Sequence, residues 1–477
     1  MQSQILGGYD VGRSISLTDN LLINLYLELA QSEGAETGAL YMCPGKSLFA
    51  TLGQGPIRGM IVKAGPQLYV VSGAAVYVIQ TNGYVQYLGP IASNSGPVSM
   101  ITNGTQVAFF DGVTGYLIGS GNHLSRLSLP FAGPLSASYQ DGFGLVSQLN
   151  SQVMWQSASF DLSTWGALAF SSADGTPDNI VAIHENHREQ WVFKDGHIEV
   201  YVDAGTSGFA FERLDGVFPE SGCAATFSVA KQGDNLIWLE SSSRGTGRVV
   251  MSNGYNVVAL SNHSITRIIQ SFPVISDAVA YCYEEDGHTF YVISFPTANR
   301  CFACDISESM TAKTPLWHER AYFNGGVFSR DLGATHVLFN GQHIVGDWSS
   351  GNLYVQSLGT QLDNGQQRKW LRTWRALPKE TEEPVSFRSL EIRMQTGVGI
   401  AQGVQPSIML RWSDDGGYSW SGQRIKQCGP AGATSQRVKF NALGGTARGT
   451  GMDRIWELSS TDPASWAIMG AYQDVSR

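Results

Sequence analysis

Three stretches of the chain carry residue types that could do chemistry. Cys301-Phe302-Ala303-Cys304 has the spacing of half a zinc or redox site. No second Cys-x-x-Cys follows. On a strand, residues three apart point to opposite faces, so the pair reads as two semi-buried thiols and not a chelate. His184-Glu185-Asn186-His187 sets its histidines three apart, whereas a metalloprotease helix needs them four apart on one face. Here they read as loop histidines in a turn between strands. Ser413-Asp414-Asp415-Gly416-Gly417-Tyr418-Ser419-Trp420 fits the pattern Ser-x-Asp-x-Gly-x-x-Trp. The Ser413 and Asp415 side chains can bond the backbone of a tight turn, Gly417 can supply a positive φ, and Trp420 can pack beneath it. That is the chemistry of a turn staple.

A nucleophile elbow, a phosphate-cradling loop and a dinucleotide fingerprint are all missing from the sequence. Carboxylates such as Glu284-Glu285-Asp286 read as solvated turns. The expectation is therefore a protein with no catalytic residues, no metal ligands and no cofactor. One cluster points elsewhere. Arg368, Lys369, Arg372 and Arg375 are interleaved with Trp370 and Trp374, and guanidinium and indole groups are favoured where protein surfaces meet. These six residues are candidate assembly contacts, with a strand face of the chain itself as the alternative.

The elements that must position these residues are strands. Leu68–Val71, Val76–Ile79 and Val85–Leu88 are β-prone runs separated by Ser72-Gly73 and Asn82-Gly83, the residues of tight hairpins. The same grammar returns at 107–118, 180–202, 236–260, 278–305 and 336–356, in groups about 45 residues apart. Radially repeated antiparallel sheets protect their edges over a long chain, so an all-β fold with a β-propeller over residues 55–360 is expected, its number of blades left open. A large β-sandwich would give similar spacing. Residues 1–54 are expected as an extended docking segment, with 17–30 open to a short helix or an extended run. A charged linker is placed at 361–384 and a C-terminal β-sandwich-like domain at 385–477.

Composition narrows the class. Of 477 residues 55 are glycine and only 15% are charged, against a usual ~25% charged, which excludes a coiled coil, a charged disordered tail and a Lys/Arg-rich nucleic-acid binder. The net charge of −9 argues against gripping a phosphate backbone. No apolar run of about 18 residues exists, so membrane insertion is not expected. The N-terminal stretch lacks the pattern of a secretory signal. Six scattered cysteines are too few for a disulfide framework, and synthesis in a reducing cytoplasm follows.

A distributed pattern adds a family. Asn24-Leu25-Tyr26-Leu27-Glu28, Pro44-Gly45, Gly55-Pro56-Ile57-Arg58-Gly59-Met60, Leu68 to Gly73 and Gly96-Pro97-Val98-Ser99-Met100 follow in order. Gly287-His288-Thr289-Phe290-Tyr291, Leu316-Trp317-His318-Glu319-Arg320, Gly346-Asp347-Trp348 and Gly351-Asn352-Leu353-Tyr354 continue them. Over residues 20–375 the chain resembles the packaged-DNA stabilisation, or tail hub and nozzle, proteins of short-tailed phages of the P22 type. The resemblance thins beyond that point.

What it implies is a non-enzymatic virion protein with β-propeller domains. Such a protein would assemble with itself as a ring, by expectation a hexamer, below the portal and its adaptor (head-to-tail connector). The ring would extend the DNA channel in the virion tail, let double-stranded DNA pass through its lumen without sequence-specific binding, help retain the genome, and anchor a tail needle or plug and tailspikes or fibres. Within the pattern Asn24, Tyr26, Glu28 and Arg58 are candidate assembly contacts, with packing roles inside one subunit as the alternative. Two rival functions stay open. One is a carbohydrate-binding or sialidase-like propeller, since sialidases carry the Ser-x-Asp-x-Gly-x-x-Trp turn, though in several copies alongside an arginine cluster. The other is a different tail component that anchors fibres.

Overall fold

A computed structural model describes the chain except residues 1, 14–17, 33–35, 54, 244, 377–384, 399, 401–404, 446–453 and 477. Among the described residues, antiparallel sheets follow one another along 57–357. Their first strands are Ile57–Lys63, Ser99–Thr102, Pro134–Gln140, Ile180–Asn186, Gly222–Cys223 together with Ala230–Gln232, Val279–Glu285 and Gly333–Phe339. The first strands of neighbouring sheets pack side by side from the first to the fourth sheet and from the fifth to the seventh, the last packs beside the first, and the fourth sheet meets the fifth through Glu189–Lys194 and Gly222–Cys223. This is the expected β-propeller.

The apolar runs are continuous because every sheet is covered on both faces. Alternation then divides a run between two cores. In Gln67–Ser72, Leu68 and Val70 pack with Phe339 and Ile344 of the last sheet. Tyr69 and Val71 pack with Val107 and Phe109 of the second. Val107–Phe110 repeats the division, giving Ala108 and Phe110 to a cluster with Val146 and Leu162 of the third sheet. At roughly 1.5–3 kcal/mol for each large apolar side chain buried, these inter-sheet cores dominate the stability of the ring.

The ring closes with a strand from the other end of the chain. Gly45–Thr51 pairs antiparallel with Asn352–Ser357 as the fourth strand of the last sheet, and Leu362–Asp363 pairs parallel on its far side. Here the chains approach closely: a Cβ at Gly351 would overlap the Leu52 carbonyl oxygen, and Leu52 N–H donates to Gly351 O at 2.6 Å.

A second body is built from both ends. One sheet runs Val438–Asn441, Ser386–Met394, Ala467–Ser476, Gly38–Met42, Leu25–Leu29. The facing strands Trp370–Arg375, Ile455–Ser460, Ser407–Ser413 and Arg424–Gln427 join the sixth propeller sheet through Leu22–Ile23, making one nine-stranded sheet. Trp370, Trp374, Trp456, Trp466, Phe387 and Leu390 form its core together with Leu25, Leu27 and Leu40.

The expected divisions are therefore corrected. Residues 1–54 are not a docking segment separate from the rest, because Leu22–Ile23, Leu25–Leu29, Gly38–Met42 and Gly45–Thr51 are strands within the two bodies. The run 17–30 is extended where described, and the expected 361–384 linker contains Leu362–Asp363 and Trp370–Arg375 as strands, while 377–384 falls outside the described residues. Sequence reading assigned each end to its own unit because pairing between strands more than 300 residues apart leaves no local signal.

Candidate functional site

The first strands surround a cavity of about 280 Å3, lined among others by Met60, Ser99, Ala137, His184, Ala280 and Thr335, with Phe227 entering from between the two short first strands of the fifth sheet. Their inward edges would carry unpaired backbone groups, and neighbouring sheets satisfy several of them. Val98 N–H donates to Arg58 O at 2.9 Å and Ala280 N–H to Phe227 O at 2.8 Å. Ala137 N–H reaches Ser99 Oγ at 2.9 Å and Ile183 N–H reaches Ser136 Oγ at 3.1 Å. Tyr281 stacks on His336 at 5.4 Å between the sixth and seventh sheets.

Arg58 sits at the mouth of this ring and is buried. Its guanidinium donates to Gly96 O, Gly73 O, Ser93 O, Ser93 Oγ and Ser95 O, at 2.6–2.9 Å. Burial lowers its pKa, against the pull of Asp111. All of its donors are spent tying the 93–96 connection to the turn at Gly73.

Asn24 stands between Leu22–Ile23 and Leu25–Leu29 with φ of 56°, a left-handed conformation that Asn tolerates better than most residues. Its Oδ1 accepts from Ala321 N–H at 2.9 Å, and its Nδ2 donates to Ala321 O and Lys369 O at 2.8 Å. Tyr26 meets His288 and Phe290 edge-on at 5.1 and 5.6 Å in an aromatic core. Glu28 is partly exposed, with Oε2 at 3.5 Å from His288 Nε2. His288 Nδ1 lies 2.7 Å from Asp305 Oδ2.

The Arg–Trp run also turns inward. Arg372 Nε donates to Ile5 O at 2.7 Å, and Nη1 reaches Leu21 O at 3.4 Å and Gly8 O at 3.5 Å. Burial pushes its pKa down to about 9, with Asp19 opposing. Arg368 donates to Cys43 O at 2.7 Å. Trp370 and Trp374 have no exposed surface. Lys369 and Arg375 remain partly exposed, and Lys369 Nζ lies over the Phe323 and Phe328 rings at 5.6 and 5.8 Å.

As contacts with another chain, Asn24, Tyr26, Arg58, Arg368, Trp370, Arg372 and Trp374 are unavailable, because each is buried against its own chain. The packing alternative describes them. Glu28, Lys369 and Arg375 keep some surface.

The Ser413–Trp420 turn forms a hydrogen-bonded staple. Ser413 Oγ donates to Asp415 Oδ1 at 2.7 Å and accepts from Gly417 N–H at 2.7 Å, and Ser419 N–H donates to Asp415 Oδ1 at 2.8 Å. Hydrogen bonds, that from the Ser419 hydroxyl first, hold the Asp415 carboxyl down at about 2. Gly417 has φ of +91°. Trp420 is half-buried with the Arg411 guanidinium 4.6 Å from its ring centre.

Cys301 and Cys304 fall into two different cores, on opposite faces of their strand, and burial pushes both thiols up to about 12. His187 sits in a hairpin turn with φ of 53°. No group of three or more His, Cys, Asp or Glu side chains able to hold a metal ion occurs among the described residues.

Two buried ion pairs escaped the sequence reading. Lys194 Nζ lies 3.2 Å from Glu199 Oε1 inside the fourth sheet, and Lys46 Nζ lies 2.7 Å from Asp331 Oδ1 where the ring closes. The only available signal was a lone Lys within an otherwise apolar strand run.

The family described as bacteriophage P22 Gp10, β-propeller, matches residues 1–360. The chain belongs to this family. All seven propeller sheets, the closing strand and Arg58 lie within the P22 Gp10 match, whereas Trp370–Arg375 and the Ser413–Trp420 turn lie beyond it. The protein is accordingly a phage structural protein of the packaged-DNA stabilisation family. No curated protein matches the chain by sequence. Among solved structures, two of the extracellular domain of BT4673 from B. thetaiotaomicron, described as a putative one component and a putative hybrid two component system, are similar at 9% identity. In each the match covers 75% of this chain and 45% of the other, with a TM-score of 0.44. No helix among the described residues is long and apolar enough to cross a membrane.

Proposed function

We propose that the protein forms a tail hub or nozzle ring, by expectation a hexamer, that continues the DNA channel below the portal and adaptor. The family match over residues 1–360 carries this reading. In it the ring helps retain packaged DNA and anchors a needle or plug and tailspikes or fibres. The propeller axis is not the conduit, since a cavity of about 280 Å3 cannot hold a duplex whose major groove alone is about 12 Å wide. The channel then lies between copies of the chain.

Charge supports passage without grip. Each phosphate neutralised by Lys or Arg adds a counterion-release barrier to sliding, and with a net charge of −9 the protein as a whole does not add one. The outer strand of the third sheet, Asp161–Ser172, presents Leu168 at 85% exposure beside Phe170, with no charge after Asp161. An uncharged apolar rim of this kind suits contact with a neighbouring chain.

Cryo-electron microscopy of assembled tails tests the proposal. The expected map has copies of this chain arranged around a lumen below the adaptor. A lumen lined mainly by Lys and Arg, or the chain found only at fibre tips, would overturn it.

A further inference from the structure

Charge is shared unevenly around the propeller. Between Lys63 and Asp174 the only Asp, Glu, Lys or Arg residues are Asp111, Arg126, Asp141 and Asp161, in a chain that is 15% charged. That run supplies the rest of the first sheet and all of the second and third. The fourth sheet alone carries Glu185, Glu189, Lys194, Glu199, Glu212 and Arg213 in its strands. The few charges of the first arc are also tied down. Asp111 is buried and accepts from Ser93 Oγ at 2.7 Å and Thr114 N–H at 2.8 Å. Asp141 lies 3.0 Å from Arg188 Nη2. Asp161 accepts from Gln106 Nε2 at 3.0 Å and Ser163 N–H at 2.9 Å, and Arg126 Nε donates to Thr114 Oγ1 at 3.2 Å.

The rim of this arc is apolar instead. Tyr84 and Tyr87 are exposed at the outer strand of the first sheet, Val85–Pro90, and the turn before it. Phe160, Leu168 and Phe170 are exposed in the same places on the third sheet, whose outer strand is Asp161–Ser172. There Trp155 pairs with Phe170 and Ser157 with Trp165, so Gln156 alone faces the four residues Gly166 to Ala169. Leu168 stands on this bulge. Phe131 and Phe170 flank the Trp155 ring, at 4.7 and 5.0 Å between ring centres, and extend the apolar surface inward. A bulged edge is a poor template for an added strand, so what it offers a partner is side-chain packing.

A surface poor in charge and rich in aromatic groups has the composition of an interface core. Which partner it fits follows from charge. Every copy of this chain carries −9, so two copies that meet bring like charge together unless the touching surfaces lack it. A different protein could meet an acidic chain through Lys and Arg, and would not call for an arc without charge. A surface facing passing DNA would leave Leu168 and Phe170 in water. We infer that the arc of the first three sheets, centred on Leu168 and Phe170, packs against a second copy of the chain. This rests on the ring reading above and adds which side of the propeller each copy turns to a neighbour.

p-Benzoylphenylalanine at position 168 of the full chain, irradiated in assembled tails, tests the contact. The expected product is a covalent dimer whose digest joins the Asp161–Ser172 segment to peptides of the same chain. Leu168→Asp should leave the melting temperature of the isolated chain unchanged, since the side chain is exposed, and should lower incorporation into tails at least about tenfold by placing a charge in the contact. Cross-linking to another tail protein or to DNA, or no cross-link, in tails whose map shows copies around a lumen overturns the interface and leaves the ring standing. Full incorporation of Leu168→Asp does the same. A map without such a ring overturns the ring reading, and this contact with it.

Discussion

The indole N–H of Trp374 donates to Ser3 Oγ at 2.8 Å, joining residues 371 positions apart. With Arg372 on Ile5 O and Leu21 O, this contact makes the Arg–Trp strand the seat of the chain's own N-terminal segment. Arg372→Ala would leave the Ile5 carbonyl without its donor, whereas Leu21 O keeps the Thr373 N–H at 3.1 Å, at a cost on the order of 1–3 kcal/mol for the stranded carbonyl. The partly exposed Lys369→Ala should change stability by less than about 1 kcal/mol. Urea unfolding midpoints compare the two, and equal effects would remove the distinction.

Arg58→Ala removes five hydrogen bonds, four to the 93–96 connection and one to the turn at Gly73. A loss of roughly 2–4 kcal/mol is expected, with hydrogen exchange accelerating first in residues 93–98. Unchanged protection in that segment would refute the stapling role.

Two histidines should act on stability in opposite directions. Burial, the largest single influence, lowers the pKa of His288, but the hydrogen bond and charge of Asp305 together with the charges of Glu28 and Glu308 outweigh it, and the folded value is raised. Its contribution is fully present below the unfolded pKa of about 6.5 and is lost as pH rises through the folded value. His336 is held down at about 3 by burial, with His343 adding to the shift. The unfolded chain binds its proton first, so stability falls as pH drops from about 6.5 towards 3. Melting curves of His288→Gln should lose part of the alkaline decline, and those of His336→Phe part of the acid decline. The reverse pattern would contradict both assignments.

Gly351→Ala places a methyl group against the Leu52 carbonyl at the ring closure. A destabilisation of at least about 1–3 kcal/mol is expected, with protease cleavage appearing near residues 45–52. Asp415→Ala, by contrast, should speed hydrogen exchange at Gly417 and Ser419 and leave the global melting temperature nearly unchanged, since the Asp415 carboxylate binds only its own turn.

The Ser413–Trp420 staple could be read in the sequence because its bonds span two to four residues. The hairpin at Ser72-Gly73 was readable for the same reason. The role of Arg372 was not, because an arginine between tryptophans has the same composition on an exposed strand as on a buried one. What decides is the carbonyls of Ile5 and Leu21, more than 350 residues away. The number of sheets stayed hidden because strand lengths range from Phe211–Arg213 to Asp161–Ser172, which blurs any repeat. Lys46 was passed over because an isolated lysine in a strand looks like a solvated edge until its partner is placed.

The strand that closes the last sheet constrains biosynthesis. Gly45–Thr51 leaves the ribosome early, while its partner Asn352–Ser357 follows about 300 residues later, a delay of roughly 15–60 s at bacterial elongation rates. During that interval the nascent propeller is an open arc. The flank that will receive the final sheet, including Leu68 and Val70, stays uncovered and prone to wrong partners. Closure is a late event, and translation speed and chaperone supply should limit yield more than the stability of any single sheet.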